Sequence, residues 1–371
     1  MLAIAYPTKV PGFSETFIRE PIDYLRGRGI AVTEYSGGYL PHQLREPGRA
    51  ESLIMDPLQR ILGSGVPELG LRRVLVRRLV GSMQKRETRA ILAHYGPTAL
   101  SLLPVARRAG LPLWVYFHGY DVWRARERRR YAPGYPALFR EMAGSFAASQ
   151  AIADQLLAWG ARPKKVHYLP CGVQEVFFQA QPQTEGQPPR ILFAARWAAT
   201  KGLFTLLEAY LQIVEARPDA VLTLAGDGPL RRQVLHKLKQ LNLTDWVELP
   251  GVLSREALLA AMERSQVAVL PSERAADGDS EGTPLFLLEA AAAGLPIVAT
   301  AHQGIGEVFV HGRHALLVPE KKPAALADAL LDVLNHPQPA RIRAEEARKW
   351  VASGFRMSTQ WDQIIAHIGL T

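Results

Sequence analysis

The sequence predicts an α/β protein built from two Rossmann-like, doubly wound halves that face one another across a cleft, and three observations carry that expectation. Its 371 residues exceed what one compact core ordinarily serves. Short runs of β-branched and aromatic residues alternate with helical patterns through most of the chain, as in parallel βαβ units. Between residues 174 and 189 the alternation lapses into QEVFFQAQPQTEGQPP, a stretch that is polar, rich in Gln and Pro, and without period. The expected organisation is therefore an N-terminal domain over 1–172, a linker over 173–189, a C-terminal domain over 190–352, and a terminal helix over 353–371 that crosses back to the first domain.

In chain order, the strands expected in the first half are LAIAY, IAVTEY, ILAHYG, LWVYFHG, SFAAS and KVHYLP. The helix after the first of them starts at SETFIREPIDYL, with Ser14 as N-cap and Pro21 as a kink. In the second half ILFAAR, AVLTLAGDG, WVELPG, VAVLP, PIVAT and ALLVP take the strand positions. The closing stretch RKWVASGFRMSTQWDQIIAHIGL reads as a broken helix with Trp350, Phe355, Trp361, Ile364 and Ile365 as its apolar contacts. Ligands of doubly wound sheets sit outside the carboxyl ends of the strands, so chemistry is sought where each strand run ends.

Composition narrows the class. With 48% hydrophobic and 21% charged residues the chain is expected to be soluble and globular. A single cysteine, Cys171, rules out an internal disulfide scaffold and favours a reducing compartment. No leader-like segment precedes LAIAY and no apolar run is long enough to cross a bilayer, so a cytoplasmic location is expected. The net charge of +9 is unevenly spread: 25 basic and 13 acidic residues lie before residue 172, and 19 and 22 after it. The densest basic stretches are LRRVLVRRLVGSMQKRETR (71–89) and RARERRR (124–130). The first has the pattern of an amphipathic helix lying on anionic lipid at the inner face of the plasma membrane, and equally that of a solvated helix face. Nucleic acid is not expected as a partner, since no binding motif accompanies the charge.

The stretch EGTPLFLLE (281–289) lies between a buried strand, VAVLP, and a helix. Thr283 suits the N-cap, Pro284 the first helical position, and Gly294 the far end. The amides of Gly282 to Phe286, Leu285 among them, would then point out of a helix N-terminus, a ready phosphate site. A carboxylate beside a phosphate repels it, so Glu281 is assigned to neutral hydroxyls such as those of a sugar, and Glu289 to a ribose diol. A solvated glutamate and an acid complementing the helix dipole would give the same spacing. Arg196 and Lys201 follow ILFAA and bracket a helix start, where the dipole disfavours structural cations. They suit a developing negative charge on a leaving group, each contact contributing roughly 1.5 to 3 kcal/mol.

At this point EGTPLFLLEAAAAGLPIVATAHQGIGEVFVHGRHALLVP resembles the signature of the retaining GT-B glycosyltransferases, the large family that includes glycogen synthase and sucrose synthase. RWAATKG, LAGDGPLR and GVQEVFF extend the likeness, and SETFIRE, HYGPTA and FHGYDVW are similar to the branch that builds bacterial exopolysaccharide and lipopolysaccharide. The resemblance implies transfer of a hexose, with its anomeric configuration kept, from a UDP- or GDP-linked sugar to a saccharide or lipid-linked acceptor. It implies His118, Arg196, Lys201 and Glu281 as catalytic, and Gly12, Phe13, Gly251, Gly282, Thr283, Pro284, Leu285 and Glu289 as donor-binding. Ser14, Glu15 and Asp121 fall to the acceptor, Asp121 alternatively ordering its loop. No nucleophile stands out, so front-face transfer assisted by the leaving group is expected.

Gln174 stands where aspartate commonly follows Gly-Val, and Glu-Gly-Thr-Pro replaces the more frequent Glu-x-Phe-Gly. Asp277 and Asp279 form an Asp-x-Asp, but no histidine stands at ligand spacing, so neither a metal nor another cofactor is expected. A GT-B nucleotide-sugar epimerase and a non-catalytic nucleotide-sugar-binding protein remain the rival readings. A glycosidase lacks a partner carboxylate for Glu281, and a dehydrogenase would rest on GDGPLR, which lacks its third glycine.

Overall fold

The computed structural model describes residues 1–7, 16–36, 68–182 and 188–370. They form two compact units, one of Met1–Leu169 with Trp361–Thr371, the other of Pro170–Gln360.

In the first unit, strands β1 (Leu2–Tyr6), β2 (Val32–Ser36), β3 (Ala90–His94), β4 (Leu113–Phe117), β5 (Gly144–Ala147) and β6 (Val166–Tyr168) make one sheet in the order β2-β1-β3-β4-β5-β6. Every pair is parallel. All residues of β1, β3, β4 and β5 are buried, because helices cover both faces of a parallel sheet and leave no side for polar alternation. The edge strands β2 and β6 are partly exposed. The helices are α1 (Thr16–Gly27), α2 (Glu68–Lys85), α3 (Gly96–Ala109), α4 (Tyr120–Trp123), α5 (Ala125–Tyr131), α6 (Tyr135–Glu141) and α7 (Gln150–Ala158). Helix α1 runs through Pro21.

The second unit has strands β7 (Arg190–Ala194), β8 (Val221–Ala225), β9 (Val247–Gly251), β10 (Val267–Leu270), β11 (Ile297–Thr300) and β12 (Leu316–Val318). Their order is β12-β11-β10-β7-β8-β9, again all parallel. This is the doubly wound dinucleotide-fold order, and it reverses between β7 and β10. The helices are α8 (Leu203–Ala216), α9 (Arg231–Gln240), α10 (Arg255–Glu263), α11 (Leu285–Ala292), α12 (Gln303–Val308), α13 (Pro323–Asn335) and α14 (Pro337–Gly354), and α15 (Met357–Ile368) passes from this unit into the first.

All twelve expected strand runs form strands, and three expectations change. The stretch read as linker from residue 173 is packed: Val173, Phe177 and Ala180 join the core of the second unit, so the two units divide at Leu169 and Pro170. Its polar composition hid three apolar residues spaced to reach one core. Trp350 is 42% exposed: its indole N–H donates to the Val308 carbonyl and its ring stacks on His314 and meets Phe355 edge-on, whereas Phe355, Trp361, Ile364 and Ile365 are buried as expected. The basic helix α2 buries Val76, Leu79, Val80 and Met83 and packs on α3, so its apolar face is taken by protein and not open to lipid. Its arginines 73, 77 and 78 remain exposed. Among the described residues no helix is long and apolar enough to cross a membrane.

Candidate functional site

In the second unit the order reversal leaves a crevice position between the carboxyl ends of β7 and β10, and the loops after those two strands carry the charged residues singled out above. After β7 the chain runs through exposed Arg196 and buried Trp197 into a short 3-10 turn, Ala199–Lys201. The turn is anchored from the neighbouring loop: Trp197 N–H donates to the Asp227 carbonyl at 2.9 Å, and its own carbonyl accepts from Leu230 N–H at 3.1 Å. Gly202 follows at φ +61°, where a Cβ would stand 1.8 Å from the carbonyl oxygen of Pro271. Only glycine lets the turn that carries Lys201 press against the loop after β10.

That loop supplies Ser272 and Glu281. Lys201 Nζ donates to Glu281 Oε2, which also accepts from Ser272 Oγ at 3.3 Å. The two side chains are only 18% and 12% exposed, so the pair is sheltered rather than a surface ion pair. The sequence reading gave these residues separate tasks on an anion and on hydroxyls. The structure joins them instead, so that neither charge stands alone.

The backbone behind Glu281 is held by a residue to which the sequence pattern assigns no role. His302, 2% exposed, follows β11; its Nε2 lies 3.2 Å from Glu281 N and 2.8 Å from Ser280 Oγ. Its Nδ1 is 2.5 Å from Glu320 Oε1, just past β12, and the other Glu320 oxygen accepts from Arg274 N–H at 2.9 Å. The His302 ring and the Arg274 amide together hold the Glu320 carboxylate below its ordinary range, although burial opposes them. Glu273 is pushed up by burial. The available signal was positional, since His302 and Glu320 follow strand runs as closely as Arg196 does.

Helix α11 begins at Leu285, later than expected. Pro284 occupies the cap position with φ −79° and ψ 70°, and no side chain caps the helix. Thr283 is not the cap: its Oγ1 accepts from Cys171 N–H at 3.1 Å, and its carbonyl accepts from Leu285 N–H at 2.9 Å. Of the five amides expected to face an anion, Pro284 therefore has none and Leu285's is spent. Glu289 is half-buried at the start of the second turn. Gly282 is clamped beside α12, where a Cβ on Gly304 would stand 1.7 Å from its carbonyl oxygen. Gly251 ends β9 and its carbonyl accepts from Gly226 N–H at 2.7 Å. Asp277 and Asp279 turn onto their own loop, accepting from Asp279 N–H at 3.2 Å and Ser280 N–H at 3.0 Å. Among the described residues no three His, Cys, Asp or Glu side chains are grouped for a metal ion.

The first unit has its own strand-end cluster. His118, after β4, is half-buried, and its Nε2 lies 2.9 Å from Nδ1 of fully buried His94 at the end of β3. The rings stack, with Tyr116 and Tyr95 against them. Burial drives His94 down to about 3, and burial together with His94 drives His118 well below its ordinary value. The pair is therefore neutral at neutral pH and can exchange hydrogen bonds with hydroxyls but not attract phosphate as a cation. His94 was missed, although it closes the strand AILAH and opens HYGPTA, a strand-end position like that of His118.

Asp121 is 0% exposed, and its carboxylate accepts from the backbone N–H of Gly96 at 2.9 Å, Gly119 at 3.0 Å and His118 at 3.2 Å. Burial raises it to about 6 against the pull of those amides. The acceptor role expected for Asp121 gives way to loop ordering, because its oxygens are sealed from solvent and turned onto three amides. Gly12, Phe13, Ser14 and Glu15 lie outside the described residues.

Two family descriptions match the chain, "Glycosyl transferase 4-like domain" over residues 14–172 and "Glycosyl transferases group 1" over residues 175–350. WcaL of Salmonella typhimurium, to which a glycosyltransferase role in colanic acid biosynthesis is ascribed, is 31% identical over 269 residues, 71% of this chain and 66% of that protein. The amylovoran biosynthesis glycosyltransferase AmsK of Erwinia amylovora is 31% identical over 252 residues, 68% of this chain and 60% of AmsK. The chain thus spans 60 to 66% of the length of these two relatives. Among solved structures, Anabaena Alr3699/HepE in complex with UDP superposes with a TM-score of 0.75 at 17% identity, over 100% of both chains. At that identity the likeness establishes the fold.

Proposed function

Because the chain belongs to the GT-B glycosyltransferases of the bacterial polysaccharide type, we propose that it is a retaining hexosyltransferase. It moves a sugar from a nucleoside diphosphate to a saccharide or lipid-linked acceptor in cell-surface polysaccharide or glycolipid synthesis. The observation that carries the reading is the sheltered Lys201–Glu281 pair beside Arg196, at the strand ends flanking the order reversal of the second unit.

In this reading the second unit holds the donor. Arg196 and Lys201 meet the diphosphate, on which negative charge grows as the glycosidic bond breaks, and they supply in place the charge that a metal ion would otherwise bring. Glu281 accepts from sugar hydroxyls and Glu289 from the ribose. The UDP bound to HepE supports a uridine nucleotide as the donor's carrier. The neutral His118 of the first unit suits a hydroxyl of the sugar or acceptor. With no nucleophile assigned, transfer occurs on the face from which the diphosphate leaves, and the configuration is kept. Attachment to an anionic membrane would run through the exposed arginines of α2 and α5, since the apolar face of α2 is occupied.

The test is incubation with UDP- and GDP-hexoses, with and without EDTA and with mixed saccharide acceptors, reading diphosphate release and product configuration by NMR. The reading expects EDTA-insensitive release and an α-linked product from an α-linked donor. An inverted product contradicts retention, and return of an epimerised nucleotide sugar would establish the epimerase instead.

A further inference from the structure

We propose that His302 is a positioning residue for Glu281, its tautomer fixed by Glu320 so that Nε2 serves as an acceptor for the loop carrying the sugar-binding carboxylate. The inference rests on the glycosyltransferase reading, and it starts from a donor that has no choice. A backbone N–H can only donate, so the 3.2 Å approach of Glu281 N requires an unprotonated Nε2. In a neutral imidazole the proton then sits on Nδ1, where Glu320 Oε1 receives it at 2.5 Å. Ser280 Oγ, in the residue before Glu281, lies 2.8 Å from the same Nε2, and its one proton is shared between that nitrogen and Gln303 Oε1 at 3.3 Å.

The chain of contacts has a fixed far end. Arg274 N–H holds the second oxygen of Glu320 at 2.9 Å, and His302 is 2% exposed, so carboxylate and ring have little room to turn. What they fix is the main chain at Ser280 and Glu281, whereas the Glu281 side chain is held separately by Lys201 and Ser272. Two independent supports, one on the backbone and one on the carboxylate, define where that carboxylate meets a sugar. A displacement on the order of 1 Å at such a group costs about 10²-fold in rate.

The decisive comparison is among His302→Ala, His302→Asn and His302→Gln. Glutamine can place a carbonyl oxygen where Nε2 stands; asparagine is equally polar but too short, so it controls for folding if the alanine protein does not accumulate. Three readouts are taken: amide hydrogen exchange of the peptide containing Glu281, affinity for UDP alone, and UDP release from UDP-glucose. The proposal expects faster exchange at Glu281 and release slowed about 10²-fold in the alanine and asparagine proteins, with UDP affinity unchanged and both effects largely reversed by glutamine. UDP lacks the sugar, so its binding does not sense Glu281. Unchanged exchange and release in the asparagine protein would overturn the proposal, as would parallel loss of UDP affinity and release in all three variants. If the unsubstituted protein neither binds UDP nor releases it, the glycosyltransferase reading falls. The exchange data then still decide whether His302 holds the Glu281 amide.

Discussion

Lys201 and Glu281 are each too sheltered to stand alone: removing either leaves a charge that has lost both water and its partner. Glu281→Ala is therefore expected to lower turnover by about 10² to 10³. UDP affinity should change far less, because the carboxylate is assigned to the sugar and Lys201 is left for the diphosphate. Steady-state release rates together with calorimetric UDP titration check this, and full turnover in the variant would contradict the site. Asp121 makes a different prediction. Its folded value of about 6 lies above the ordinary 3.8, so the folded state binds the proton more tightly than the unfolded one. Its contribution to stability is complete below pH 4 and is lost as pH rises through about 6, a loss of about 3 kcal/mol by linkage. Denaturant melts of the wild type and Asp121→Asn should show a wild-type advantage that shrinks over that window. A pH-independent difference would contradict the buried acid. Neither residue's surroundings were legible in the sequence. The type and spacing of Glu281 and Lys201 suggested a donor site, but their pairing depends on two loops some 80 residues apart.

At the scale of elements, the close approach of loops does what side chains alone cannot. Gly202→Ala would put a methyl group against the Pro271 carbonyl while forcing a positive φ on alanine, and Gly304→Ala would do the same to the Gly282 carbonyl without the φ penalty. Each is expected to destabilise the second unit by about 2 to 4 kcal/mol, Gly202→Ala more because its two costs add. Urea unfolding measures this, and an unchanged midpoint would mean the loops are not packed as described. The strands were readable because buried parallel strands are continuous apolar runs ending in Gly, Pro or polar residues. The start of α11 was not. Thr283 and Pro284 have the composition of a cap and a first turn, but the Cys171 amide takes the threonine hydroxyl and the helix begins one residue later than Pro284 suggested. His302 and Glu320 escaped for a related reason, since nothing local marks either residue until the loops after β11 and β12 meet the loop that carries Glu281.

For the whole molecule, the two halves of the chain differ in charge. The first half holds the excess of basic residues, and its helices α2 and α5 expose arginines 77, 78, 126 and 128 to 130. Sedimentation with phosphatidylglycerol vesicles should carry the protein down at low salt and release it near 1 M, where the screening length is about 3 Å. Salt-resistant binding would contradict a purely electrostatic attachment, and no binding at low salt would remove the membrane from the account. The division into two units was legible from the lapse in periodicity, but its position was not, because Val173, Phe177 and Ala180 lie in a polar stretch that gives no sign of the core they enter.

The central claim is that the second unit binds a nucleoside diphosphate through Arg196 and Lys201, and a thermal-shift titration with UDP, GDP, ADP, CMP and NAD, each with and without EDTA, tests it most directly. One diphosphate should raise the melting temperature by a few degrees at about 100 times its dissociation constant, equally with EDTA, and Lys201→Ala should abolish the shift. Stabilisation by NAD alone, or by none of the five, would contradict the account.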